Sequence, residues 1–289
     1  MSPKIIFYIR CLFHEDKVKC CAGVDNEVYF PMFKELYGIS IFEYRKKVHD
    51  IQLENIKSIS PFVIENRYAS NESSPFGNVQ THTLQQLCEL DDDAIVIPLD
   101  DDDWVSPEIT EYKFDYDALN IWSTVSLRPY TTLLYHKNPV CEQIPFDIDL
   151  ENTKNKAVLQ QLLSNCYGIP AKYIKQLAQE KNMQMLSKVL QLHNRVRAAV
   201  REQPRFLHKE NIQDEILSIY VKHLGNITSI MYWQQETKVS LKKNLLNDYK
   251  NYCLFNKRYI NEIPGEIDWI KPYQTELINL NISCLTNFL

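Results

Sequence analysis

The chain has 289 residues, 45% of them hydrophobic, with 32 Lys and Arg against 37 Asp and Glu, a formal net charge of −5. That is ordinary globular composition, long enough to bury a substantial core as one large domain or a domain with an appendage. The negative balance argues against a nucleic-acid binder, which needs a basic footprint, and no apolar stretch approaches the roughly 20 residues that span a bilayer. Eight cysteines (Cys11, Cys20, Cys21, Cys88, Cys141, Cys166, Cys253 and Cys284) form no Cys-x-x-Cys pair, so the usual zinc spacing is absent. Met1 to Lys4 lead into a run, Ile5 to Arg10, that is too short for a signal peptide. The expectation is a reducing, cytoplasmic compartment with free and mostly buried thiols. Asn71, Asn226 and Asn281 then carry sequons without meaning as glycosylation sites.

In chain order, Lys4 to Leu12 reads as a first strand, and Val24 to Tyr29 and Ile56 to Ile64 as further strands or strand ends. Phe33 to Asp50 mixes apolar and charged residues at helical spacing. Asn66 to Asn78, rich in Ser and Asn with Pro and Gly, reads as a loop. Thr81 to Leu90 reads as a helix and Asp91 to Leu99 as a turn and a short buried strand. Tyr112 to Asp117, Ala118 to Leu127 and Thr131 to His136 suggest strands. The pattern from Asn152 to Glu202 is helical, with Pro170 starting a helix in its first turn and Lys181 to Arg201 as a long amphipathic helix. Leu217 to Lys222 returns to strand, and residues 234 to 289 read as a helical extension. Strands alternating with helices predict an α/β sheet with helices on its faces and a helical C-terminal extension.

The chemistry concentrates in Ile95-Val96-Ile97-Pro98-Leu99-Asp100-Asp101-Asp102-Asp103-Trp104-Val105-Ser106-Pro107. An apolar strand ends in four consecutive carboxylates, which repel one another. A divalent cation would relieve that repulsion, and hard ions such as Mg²⁺ and Mn²⁺ prefer carboxylate oxygen. The carboxyl end of a strand is also where open α/β sheets place ligands. The bland alternative is a solvated acidic loop, with Asp103 capping a helix near Trp104 to Glu108. The i, i+2 spacing of Asp100 and Asp102 sends both to one side of an extended strand end. Asp101 points away and reads as dispensable.

Leu99 to Trp104, with Pro107 following, resembles the DXD segment of GT-A-fold glycosyltransferases, above all the inverting, family-2-like group and rhamnosyltransferase-like proteins. The loop Phe76-Gly77-Asn78, the helix from Thr81 and the strand to Leu99 follow the order in which such enzymes approach their DXD. Tyr220-Val221-Lys222-His223-Leu224-Gly225-Asn226-Ile227-Thr228-Ser229 resembles their late strand and His-x-Gly-Asn segment. The matches span residues 62 to 230, of which the first is the specific one. The resemblance implies a GT-A domain over residues 1 to 233, with a nucleotide-binding half to about 105, an acceptor half from 106, and an extension over 234 to 289. It implies sugar transfer from a nucleoside-diphosphate sugar to a glycan or lipid-linked acceptor, with Mn²⁺ or Mg²⁺ as cofactor. It makes Asp102 a metal ligand, Asp100 a ligand of metal or ribose, and places His223 near metal and diphosphate.

Other residues stay open between roles. His223 is a ligand or a satisfied histidine at a strand end. An inverting transferase needs a base for the acceptor hydroxyl. Asp147, Asp149, Asp214, Glu215 and His136 qualify, each also readable as a surface or turn residue. Arg10, at the end of the first strand, and Arg67 suit phosphate contact, since guanidinium pairs bidentately with phosphate; both are also readable as surface arginines. Ser164 to Gly168 reads as a sugar-facing turn or a helix connector. Lys242, Lys243, Lys250, Lys257 and Arg258 lie among Tyr249, Tyr252, Phe255 and Tyr259. Such a tail docks peripherally on an anionic membrane or packs as a helix with a solvated face. Two further readings compete with a glycosyltransferase. One is a nucleotidyltransferase, although Cys11 to Cys21 lacks the glycine-rich loop. The other is a non-catalytic protein whose acidic loop binds a cation or partner.

Overall fold

A computed structural model describes residues 4–11, 30–31, 33–35, 38–67, 79–127, 136–137, 165–192, 195–202, 207, 209–221, 269 and 271–286. Its centre is a mixed sheet with strand order β2-β1-β3-β7-β5-β8-β4, plus β6 on β5. The strands are β1 Lys4–Cys11, β2 Val63–Arg67, β3 Ala94–Asp100, β4 Trp104–Val105, β5 Ala118–Leu127, β6 His136–Lys137, β7 Tyr167–Pro170 and β8 Lys209–Val221. The helices are α1 Ile41–Ile59, α2 Thr81–Cys88, α3 Ala171–Gln179, α4 Met183–Leu186, α5 Val196–Glu202 and α6 Lys271–Thr286. A 3₁₀ turn occupies Pro107–Glu111 and a π turn Ser187–Gln191.

β1 is parallel to both β2 and β3, with Arg10 opposite Asn66 on one side and Asp100 on the other. The strand is buried on both faces from Ile5 to Cys11, the continuous apolar run expected of a central parallel strand. The chain leaves β1 toward β2 and then crosses back to β3 on β1's other side. Strand order therefore reverses between β1 and β3, the kind of switch point that opens a crevice beyond the carboxyl ends of the strands. β7 pairs antiparallel with β3 only at Ile95 and Val96, so that ladder ends before Pro98, which has no N–H to contribute. On its other edge β7 pairs with β5, and β5 runs parallel to β8. One sheet thus runs through both parts expected of the chain.

Helix α1 starts where Ser40 and Glu43 form a reciprocal capping box. The two Ser40 hydrogen bonds hold the exposed Glu43 carboxyl below its ordinary range. Ser60, just past the helix, donates from Oγ to Ile5 O at 2.6 Å, fixing its exit to β1. Helix α1 packs on β4 and α6, and α2 packs on α3. Among the described residues no helix is long and apolar enough to cross a membrane.

Several sequence expectations are corrected. Ile56–Ile59 is the last turn of α1 rather than strand, because the apolar positions continue the helix's buried face; β2 begins at Val63. Trp104–Val105 forms a strand against Ser218 and Ile219, not a helix, and Ser106 rather than Asp103 caps the turn that follows. Tyr112 to Asp117 is a connection whose backbone groups bond to the Asn120 side chain. The region read as helical from Asn152 contains β7, and Pro170 ends that strand and caps α3. The helix expected over Lys181 to Arg201 is broken: Lys181 adopts φ +54°, and the π turn separates α4 from α5. β8 begins at Lys209, eight residues before the expected start, with an irregularity opposite Ile121–Thr124. The strand expected at Val24 to Tyr29, the loop from 68 to 78 and most of Thr131 to His136 lie outside the described residues, as do 234 to 268 of the extension.

Gly168 marks a tight approach in β7. A Cβ there would meet Ile95 Cγ2 at 2.8 Å and the Trp122 ring at 3.4 Å. Gly168→Ala should therefore destabilise the protein by about 1–3 kcal/mol, the usual cost of overpacking a core. Denaturant unfolding checks this; an unchanged midpoint would mean that β7 is not wedged between β3 and β5.

Candidate functional site

The four carboxylates form a tight turn at the end of β3, closed by the Asp103 N–H on Asp100 O at 3.4 Å. They face helix α1, whose buried side carries Arg45, His49, Gln52 and Asn55 alongside Ile41, Tyr44, Val48 and Ile56. At spacings of four, three and three residues these polar groups share one helical face. Burial obliges each to find a partner, and the turn supplies most of them.

Arg45 Nη2 donates to both carboxylate oxygens of Asp101, at 2.9 and 3.0 Å, and both side chains are buried. Burial works to lower the Arg45 pKa, but the charges of Asp101, Asp102 and Asp100, in that order, raise it above the ordinary value. The guanidinium is thus the counter-charge of the turn. The expectation that Asp101 points away and is dispensable is overturned, because the helix brings a buried cation to it. Gln52 Nε2 donates to the carbonyls of Asp100 and of Asp103, the latter at 2.8 Å, gripping both ends of the turn. Asn55 exchanges two 2.9 Å hydrogen bonds with the backbone of Val105, as a neighbouring strand would. Asp103 is fully buried and accepts from Val221 N–H at 3.2 Å, which joins the turn to the end of β8. Capping a helix is therefore not its role.

Asp100 and Asp102 differ in setting. Asp100 keeps 33% of its side chain exposed and pairs with Arg10 Nη2 at 2.6 Å across the β1–β3 register. Asp102 is buried within the turn. Arg10 is itself buried; its Nη1 donates to Gln191 O at 2.6 Å, and the Gln191 side chain reaches the Tyr8 hydroxyl. Gln191 is the last residue of the π turn, which brings that carbonyl to the strand tips; such turns recur at functional sites.

Arg67 stands at the end of β2, opposite Cys11, exposed and paired with Glu65. Burial, reinforced by the charges of Asp101 and Glu65, pushes the Cys11 thiol well above its ordinary value. Asp214 lies on β8, and His136 is on the short strand β6. Asp147, Asp149 and His223 lie outside the described residues, as do Lys242 to Arg258. The structure therefore brings Arg10, Asp100 and Asp102 together at the carboxyl edge and sets Arg67 along it. Reading the sequence missed Arg45, His49, Gln52, Asn55 and Gln191. For the four on α1 the available signal was polar residues falling in register with the helix's apolar stripe; Gln191, in the π turn, offered none.

Comparison of the chain with protein-family models and with curated proteins found no match.

The Arg45–Asp101 pair yields a test that separates it from a surface ion pair. Arg45→Met should cost about 3–5 kcal/mol by leaving buried carboxylate uncompensated. Arg45→Met combined with Asp101→Leu should recover part of that loss. Unfolding of the two variants beside the parent checks this; a cost below about 1 kcal/mol for Arg45→Met would place the pair in solvent.

Proposed function

We propose that the chain is a metal-dependent glycosyltransferase of GT-A type, moving a sugar from a nucleoside-diphosphate donor to a glycan or lipid-linked acceptor. The observation that carries this reading is the acidic turn's position: the tip of β3, beside the strand-order reversal, where mixed α/β sheets bind nucleotides. Within the turn the carboxylates divide by role. Asp101 and Asp103 are engaged by Arg45 and the Val221 N–H, and so fix the turn. Asp100, at the accessible edge, and Asp102 are the pair to hold a cation. Their all-oxygen chemistry fits Mn²⁺ or Mg²⁺, which when bound neutralises the leaving diphosphate as a Lewis acid.

The other assignments follow from the same edge. Arg10 sets the direction of the Asp100 carboxylate and is the guanidinium proposed to face a diphosphate held there. Arg67 is accessible and could reach the nucleotide. An inverting reaction also needs a base on the acceptor side; Asp147, Asp149 and Asp214 remain the candidates. His223, two residues beyond the β8 terminus that Asp103 anchors, is proposed as a ligand of the metal or diphosphate. Helix α2 followed by β3 and the acidic turn is the described part of the segment order that supports the transferase reading; a nucleotidyltransferase and a non-catalytic cation binder stay the alternatives.

Two outcomes test the proposal. Nucleoside diphosphates should raise the melting temperature in the presence of Mn²⁺ by mass action and lose that effect after EDTA, with Ca²⁺ a poor substitute. Hydrolysis or transfer of the matching nucleotide sugar should fall by about two to three orders of magnitude in Asp102→Asn, with native far-UV circular dichroism. Stabilisation by no nucleoside diphosphate, or full turnover without a divalent cation, would contradict the assignment.

A further inference from the structure

Behind the acidic turn, one ligand atom from each of Cys11, His49 and Glu65 lies within 4.8 Å of the others. The three residues come from β1, α1 and β2. Cys11 and His49 are buried, while the Glu65 side chain is 21% exposed.

The state of the imidazole follows from Gln52. Its Nε2 donates to two backbone carbonyls, which can only accept, so the orientation of the amide is fixed. Gln52 Oε1 then faces His49 Nδ1 at 2.9 Å, and Nδ1 must carry the proton. In the neutral ring this makes Nε2 the lone-pair nitrogen, and it faces Glu65 Oε2 at 4.0 Å. An imidazole whose remote N–H is held by a fixed acceptor is the arrangement that orients histidine ligands on metals.

We infer that Cys11, His49 and Glu65 form a binding site for a borderline-soft divalent cation, Zn²⁺ foremost, distinct from the all-oxygen pair in the turn. One sulfur, one nitrogen and one oxygen donor match Zn²⁺ and do not match Mg²⁺ or Ca²⁺. With metal–ligand bonds of roughly 2.0–2.3 Å, tetrahedral ligands stand about 3.5 Å apart. Closure thus needs side-chain shifts of about 1 Å. The cation displaces the thiol proton to solvent and binds the thiolate. Arg67 now pairs with Glu65 and is exposed, so it can release that carboxylate to water. Three protein ligands leave a fourth position for water or another ligand. Because Gln52 holds both His49 and the ends of the acidic turn, the two sites share a support. The inference does not rest on the transferase reading.

Cobalt reports the site directly. Titrating Co²⁺ into the reduced, full-length protein should produce thiolate-to-cobalt charge-transfer absorption with one equivalent bound, and Zn²⁺ should bleach it. Cys11→Ser and His49→Ala should lose the absorption, and Glu65→Gln, at a partly exposed position, should weaken Co²⁺ binding by at least about tenfold. Asp102→Asn should retain the absorption, so that this site and the acidic turn fail independently. Absence of the charge-transfer band in the parent protein would overturn the inference. So would an undiminished band in Cys11→Ser or His49→Ala, because the thiolate would then belong to another of the eight cysteines.

Discussion

The Gln52 side chain holds the turn Asp100–Asp103 by its two ends, donating to the carbonyl of the first aspartate and to that of the last. Both acceptors are backbone carbonyls, one at the last residue of β3 and one where the turn leads into β4. The Asp100 carbonyl also receives the long Asp103 N–H contact that closes the turn, and Gln52 adds a donor at each end and so sets the turn's conformation. Arg45 on one side of Gln52 and Asn55 on the other extend the same grip to Asp101 and Val105. The acidic segment is therefore a rigid element set by a helix face rather than a solvated loop. A site that must hold a small charged ligand benefits from that rigidity, since its geometry is formed before the ligand arrives.

Four adjacent carboxylates also need charge compensation, and the fold divides it. Arg45 supplies a buried cation to Asp101, the Val221 N–H reaches Asp103, and Arg10 reaches Asp100 from the neighbouring strand. Arg10 is in turn set by the carbonyl of Gln191 at the end of the π turn. Asp100, Asp101 and Asp103 are thus pre-paired with protein groups, and a cation bound at Asp100 and Asp102 would add to this framework instead of holding it together. That separation makes the functional proposal testable by substitution without loss of the fold.

Strong local patterns made much of the framework legible. The apolar runs of β1 and β3 and the turn of aspartates each announce themselves within a few residues. What escaped depends on contacts distant in sequence. Asp101 looked idle because its partner lies 56 residues earlier on a helix face. Asp103 looked like a helix cap because its real partner, Val221, lies 118 residues later. The Lys181 to Arg201 segment is amphipathic throughout, so periodicity alone could not register the π turn that breaks it. The cysteine spacing excluded a zinc motif of contiguous type, yet Cys11, His49 and Glu65 converge from three elements, a juxtaposition that only the parallel packing of β1 and β2 beneath α1 creates.

The central claim is that the acidic turn at the carboxyl edge holds a divalent cation and, with it, a diphosphate. Crystals grown with Mn²⁺ and a stabilising nucleoside diphosphate, measured for manganese anomalous scattering, address it most directly. The account predicts an anomalous peak at bonding distance, about 2.2 Å, from oxygens of Asp100 and Asp102, with the diphosphate completing its coordination near Arg10. A nucleotide bound elsewhere, or a manganese peak that avoids both carboxylates, would contradict it.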